Sequence, residues 1–223
     1  MKTLFILIAI ALPLLSRAQG TVYCSNLGNT LTGNFAIAND SYIAQEFMLL
    51  GRIVNGVVLT PNCTLNSVQL LMGPASGNPS GFSVSVYNAV SSGPGTRLGT
   101  LIGDQNPTTP GLYTYTTPGI TLSPAANYFL VVTCGNAVAE GAYNWSTAVR
   151  PSQVHNDNLH IGYYYDSTDG ANWTSHVRQD VALVAIYGTT VPEPSSSFMF
   201  VCGAVTLVCA RTFGRSAAGA ASL

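Results

Sequence analysis

Hydrophobic and polar positions alternate with a period of two through much of the chain between residues 40 and 190. Within Gly81–Tyr87, Phe82, Val84 and Val86 fall on one side and Ser83 and Ser85 on the other, the pattern of a strand with one face in a core. Val68, Leu70 and Met72 share a face of Leu65–Met72 in the same way, and Tyr42–Met48 predicts a first core strand. Tyr128–Thr133 and Val181–Tyr187 are apolar at successive positions, which predicts strands buried on both faces. Further short strands are expected at Leu98–Ile102, Leu112–Thr116, Ile120–Leu122, Ala142–Thr147 and Leu159–Tyr165, punctuated by turns such as Gly73–Ser80 and Ser91–Gly95. About ten strands without a convincing amphipathic helix predict an all-β fold, an antiparallel β-sandwich of jelly-roll-like character.

The two ends depart from this alternation. Lys2, the apolar stretch Leu4–Leu15 and the small-x-small sequence Ser16-Arg17-Ala18 predict an export signal over residues 1–18, with a mature start near Gln19. At the other end, two prolines flank Glu193 in Val191-Pro192-Glu193-Pro194-Ser195 and hold the backbone extended, so the folded domain is expected to stop near Thr190. Phe198–Ala210 then runs for 13 residues without a charge, a short apolar helix below the roughly 17–25 residues of a stable membrane span. Arg211 and Arg215 follow. Residues 19–190 therefore form one expected domain, large enough for a sizeable core, and residues 191–223 form a tail.

Charge narrows the partners. Between Gln19 and Thr190 four arginines stand against eight acids with no lysine, a net charge of −4. A chain that binds phosphate backbones needs basic patches, so nucleic acid is not an expected partner. Cys24, Cys63 and Cys134 lie in the exported domain, where an oxidising compartment permits one disulfide among them, and nothing in their spacing selects the pair. Cys202 and Cys209 lie in the tail helix and read as small apolar residues.

The stretch Tyr163-Tyr164-Tyr165-Asp166-Ser167-Thr168-Asp169-Gly170-Ala171-Asn172-Trp173 is the most pointed chemically. It has three readings. It resembles the Asp-box hairpin of secreted β-proteins, with one residue fewer between Asp169 and Trp173, and on that likeness the aspartate closes a turn and the tryptophan packs on the sheet. As a glycan contact, Tyr163, Tyr165 and Trp173 would stack on sugar C–H faces while Asp169 accepts hydroxyl hydrogens. As a calcium loop, Asp166 and Asp169 would supply oxygens, although the full EF-hand pattern is absent. His155-Asn156-Asp157-Asn158-Leu159-His160 reads as a solvated loop: His155 and His160 fall on opposite faces of a strand, and no metal-binding spacing is present. There is no Gly-x-Ser-x-Gly elbow, and Glu46 and Glu140 are the only glutamates before the tail, so neither a catalytic residue nor a cofactor is expected.

Two family resemblances follow from these residues. The order of Pro192-Glu193-Pro194, apolar helix and arginines is similar to the PEP-CTERM sorting signal of bacterial surface proteins. In that family an arginine cluster follows the helix directly, whereas here Arg211 and Arg215 are separated and Ser216–Leu223 trail behind. The resemblance implies an exosortase-type processing enzyme as partner, transient or stable anchoring in the membrane through the tail helix, and a destination at the cell envelope, outer surface or extracellular matrix. Upstream, Ala44-Gln45-Glu46-Phe47, Leu65–Leu71, Gly81–Tyr87, Pro94–Leu101 and Leu122–Val131, in that order, resemble the choice-of-anchor R domain of bacterial surface proteins. That family brings no catalytic residues with it. The resulting expectation is a non-enzymatic structural or adhesive component, with binding of exopolysaccharide or another surface glycan as the alternative and hydrolysis of envelope polysaccharide as a third.

Overall fold

The computed structural model describes residues 21–50, 53–54, 57–58, 62–149, 154–155, 159–177 and 180–190, which belong to one compact unit, Ala18–Val191. The predicted export signal, Pro192-Glu193-Pro194, the tail helix and its cysteines lie outside the described residues. Among those described, no helix is long and apolar enough to cross a membrane.

The chain forms strands β1 (Thr21–Ser25), β2 (Gly33–Ile37), β3 (Tyr42–Leu49), β4 (Ile53–Val54), β5 (Val57–Val58) and β6 (Cys63–Met72). It continues through β7 (Ser76–Gly77), β8 (Ser83–Val90), β9 (Gly93–Thr100), β10 (Gly111–Leu122), β11 (Ala126–Thr133) and β12 (Gly141–Ala148). The last are β13 (Val154–His155), β14 (Leu159–Ser167), β15 (Thr174–His176), β16 (Val181–Ala182) and β17 (Val184–Thr190). They build two antiparallel sheets packed as a sandwich, as the alternation predicts. One sheet runs β13-β1-β17-β6-β12-β16, with β10 also on β6 and both β2 and β7 on β12. The other runs β15-β14-β3-β11-β8-β9, and β4-β5 stands as a separate hairpin.

The core fills the space between the sheets because the inward positions of both are apolar. Val68, Leu70 and Met72 of β6, Tyr143 and Trp145 of β12, and Val184 and Ile186 of β17 meet Ile43 and Phe47 of β3, Val84 and Val86 of β8, and Leu130 and Val132 of β11. Every buried side-chain nitrogen and oxygen among the described residues has a hydrogen-bond partner. Burying a polar group without one costs about 1–3 kcal/mol, a penalty that the described side chains avoid.

Several strands differ from their expected form, each for a local reason. Leu112–Thr116 and Ile120–Leu122 are a single strand, β10, interrupted by a register shift between Thr116 and Ile120 where Pro118-Gly119 stands off the ladder. Val181–Tyr187 is not one strand but two. Ala182 pairs with Thr147 of β12, whereas Val184 pairs with Leu70 of β6, and Leu183 makes the step between them. Asn26 clasps that step: its amide donates to Ala182 O at 2.9 Å and its oxygen accepts from Val184 N at 2.7 Å. Trp145 Nε1 donates to Leu183 O at 2.9 Å, so the carbonyl exposed by the step is also used.

The turn expected at Ser91–Gly95 is shorter, because β9 already starts at Gly93. Within the segment Leu98–Ile102, Leu98 and Ile102 are 41% and 72% exposed and Leu101 is buried. Ile102 and Thr116 exchange backbone hydrogen bonds at 2.8 Å each, which joins the β9 edge of one sheet to β10 of the other. β1 and β2 carry too many polar and small residues to show an apolar period, and the sequence reading missed both.

Candidate functional site

β14 and β15 form a hairpin at the edge of the six-stranded sheet, with Tyr164 opposite His176 and Asp166 opposite Thr174. The loop between them is held by Asp169 and Ser167. Asp169 Oδ1 accepts from Ser167 Oγ at 2.9 Å and from the Ala171 and Asn172 amides at 2.8 Å each, and Oδ2 accepts from Asn172 Nδ2 at 2.7 Å. Ser167 Oγ in turn accepts from Gly170 N at 2.9 Å. The Asn172 and Ala171 amides, followed by the two side-chain donors, hold the Asp169 carboxyl well below the usual carboxylate range. Its oxygens are thus engaged in closing the turn, which is the structural role that the Asp-box likeness implies.

Trp173 follows at the end of the loop and lies back over the outer face of the sheet. Its ring meets Tyr42 edge-on, with centroids 6.4 Å apart. A Cβ built on Gly93, whose φ is +129°, would lie 3.0 Å from Trp173 Cβ, so only glycine at the start of β9 admits the indole. Tyr165 also points outward and meets Phe129 edge-on at 4.9 Å. Ala44, Phe129 and Val131 form a second, smaller core on this face, covered by Tyr42, Tyr87, Ala89, Tyr165 and Trp173. The pleat places Tyr163 on the same side as Tyr165.

Of the four residues proposed from sequence as a glycan contact, Tyr165 and Trp173 come together in this cover. Asp169 stands beside it as a turn residue. Tyr42 and Tyr87 were missed because they arrive from β3 and β8, far away in the chain. The one available signal was the outward position of Tyr87 after Ser83 and Ser85.

A register shift between Ile161 and Tyr164 sets Gly162 and Tyr163 against Glu46 of β3. Glu46 Oε2 accepts from Tyr163 N at 3.1 Å, and Oε1 accepts from Asn127 Nδ2 at 2.6 Å. On the inner face Gln45 Nε2 donates to Gly162 O at 3.2 Å and Tyr163 O at 3.1 Å, while its Oε1 accepts from Ala182 N at 3.0 Å. Neighbouring side chains on opposite faces of β3 therefore secure one bulge. Gln45 also ties it to the other sheet.

Asp166 and Asp169 bind different partners. Asp166 Oδ1 lies 2.8 Å from His176 Nε2, and His176 stacks on Tyr164 at 4.5 Å and 6°. No group of three His, Cys, Asp or Glu side chains among the described residues has the arrangement to hold a metal ion. Of the His155–His160 segment, residues 156–158 lie outside the described residues.

The three domain cysteines are free thiols, so the one disulfide that the sequence permits among them is not formed here. The topology explains it for Cys24 and Cys63. They flank β17 on opposite sides, opposite Ile186 and Thr190 respectively. Two strand spacings and four residues along the strand separate their Cα atoms by roughly 16 Å, against a limit of about 7 Å for a disulfide. Cys134 follows β11 and donates to Ile37 O at 3.4 Å and Asn136 O at 3.3 Å. Burial pushes the Cys24 thiol up to about 12 and the Cys63 thiol up to about 11, and raises that of Cys134.

A shallow recess on the other flank is lined by Phe82, Thr100, Ile102, Asp104, Gln105 and Tyr115. Its one carboxylate, Asp104, accepts from Asn106 N at 2.8 Å, and the Tyr115 hydroxyl donates to Asp104 O at 2.9 Å. No family model matches the chain, and no curated protein matches it.

Proposed function

We propose that this chain is an exported bacterial surface protein, directed by its export signal and its Pro192-Glu193-Pro194 tail, with a non-enzymatic structural or adhesive β-sandwich as its cargo. An exosortase-type enzyme is the processing partner, and the envelope, outer surface or surrounding matrix is the destination. The sorting half of this reading rests on the order of motifs in the tail.

The cargo half rests on one observation: six of the seven acidic side chains among the described residues are used as fasteners. Asp169 closes the β14-β15 loop and Glu46 holds the β14 bulge. Asp40 accepts from Val138 N at 2.9 Å, Asp104 from Asn106 N at 2.8 Å, and Asp180 from Thr32 Oγ1 at 2.7 Å. Asp166 pairs with His176. Acids engaged with backbone and neighbouring side chains suit a rigid module better than a hydrolase, which needs two opposed carboxyls facing a substrate.

The test is cell fractionation of the natural host combined with mass spectrometry of the mature C-terminus. A surface or matrix form ending near Pro194 is the expected result. A cytoplasmic protein carrying an intact Leu223 would overturn the reading.

A further inference from the structure

Two groups of aromatic side chains in this fold differ in how their polar tips are used. Tyr113, Tyr115, Tyr128, Tyr143 and Tyr187 each bond through their hydroxyls to protein atoms, and Trp145 donates to Leu183 O. The rings covering the small outer core differ. Tyr42, Tyr87, Tyr165 and Trp173 are half-buried, and their hydroxyl and indole groups carry no hydrogen bond to any described residue. Buried aromatic residues normally find a partner for their polar tip. Here four rings are gathered on one face, and none of their polar tips bonds to a described residue.

The surroundings define what such a face fits. The floor beneath the rings is apolar, made by Ala44, Phe129 and Val131. Of the carboxylates at its margin, Asp169 is engaged in its turn and Glu46 holds Asn127 and the Tyr163 amide; burial first, and then the Glu46 charge, raise the Tyr165 phenol. The cover itself contains no charged side chain. Ring surfaces with unused O–H and N–H groups match a neutral ligand that presents C–H faces bordered by hydroxyls. An anionic polymer would meet Arg97, opposite Tyr87, set against the two carboxylates of Glu46 and Asp169, so the margin formed by these residues is net negative.

We infer that Tyr42, Tyr87, Tyr165 and Trp173 form a binding face for a neutral polysaccharide. The inference rests on the reading of the domain as an adhesive module and identifies the face and the ligand class that the adhesion would use. Asp169 takes no direct part, in contrast to the assignment from sequence; it supports the face by fixing the loop that carries Trp173.

The test is affinity electrophoresis of the full chain through gels containing xylan, dextran, galactomannan or hydroxyethylcellulose, with alginate as the anionic control. Retardation by at least one neutral polymer and none by alginate is expected. The triple variant Tyr42→Phe, Tyr87→Phe, Tyr165→Phe removes hydroxyls that bond to no described residue, so its melting temperature should stay at the wild-type value while its affinity falls at least tenfold. Tyr87→Ala should weaken binding further. Migration unchanged in all four neutral polymers, or retardation that survives the triple variant, would overturn the inference. So would a dimer in sedimentation that Tyr87→Ala dissociates, since the face would then be a contact between copies. A protein correctly sorted to the surface that shows no retardation would lose this inference and keep the sorting proposal.

Discussion

The carboxylate of Glu46 occupies the space that a side chain at residue 162 would take. A Cβ on Gly162 would overlap it, and with glycine there Glu46 reaches the Tyr163 amide at 3.1 Å. Gly162→Ala should therefore push the carboxylate off the bulge. Overpacking of this kind costs roughly 1–3 kcal/mol, measured by urea unfolding. Glu46→Gln should be milder, because one amide oxygen can still accept from Tyr163. An alanine variant as stable as the wild type would show that the bulge does not depend on this contact.

Asn26 offers a second test, in the core. It is 1% exposed and satisfies both Ala182 O and Val184 N across the step at Leu183. Asn26→Ala leaves both groups buried and unpaired, at roughly 1–3 kcal/mol each. Equilibrium denaturation should show a fall of that order, with hydrogen exchange faster at Val184 than at Val68.

Asp169 gives the hairpin a defined response to acid. Its folded-state pKa lies below the unfolded value, so its contribution to stability is present above the unfolded carboxylate value of about 3.9 and is lost as pH falls from there towards the folded pKa. The Ala171 and Asn172 amide resonances should hold constant from neutral pH down to about 4 and move only in stronger acid. Asp169→Asn should abolish that movement. Amides that titrate midway at about 3.9 would show a carboxylate that is not held.

The buried thiols should be inert in the native protein. A thiol must ionise to react, and burial holds Cys24 and Cys63 up to about 12 and 11. Alkylation at pH 8 followed by peptide mapping should leave Cys24, Cys63 and Cys134 unlabelled, and labelled once the chain is unfolded in guanidinium. Non-reducing maps should contain no peptide joining any two of them.

How much of this was legible in the sequence varies with the range of the interaction involved. Strand assignments that depend on alternation within seven or eight residues held, as at β6 and β8, because the pleat imposes the period locally. Those that depend on which strand lies alongside did not. Val181–Tyr187 looks continuous, yet its two halves pair with different neighbours, and Pro118-Gly119 looks like a break although β10 continues past it. The hairpin loop was readable because Ser167, Asp169 and Trp173 are close in sequence. The aromatic cover was not, since Tyr42 and Tyr87 join it through pairings set by the whole sheet.

The position of β17 has a mechanical consequence. It is the last strand before Val191, and it is bonded along its length to β1 on one side and β6 on the other. Antiparallel ladder bonds lie perpendicular to the strand, so a pull applied beyond Thr190 along the strand axis loads both ladders in shear at once, in place of peeling them bond by bond. A domain tethered at that end and dragged by flow would carry the load through a strand bonded on both edges.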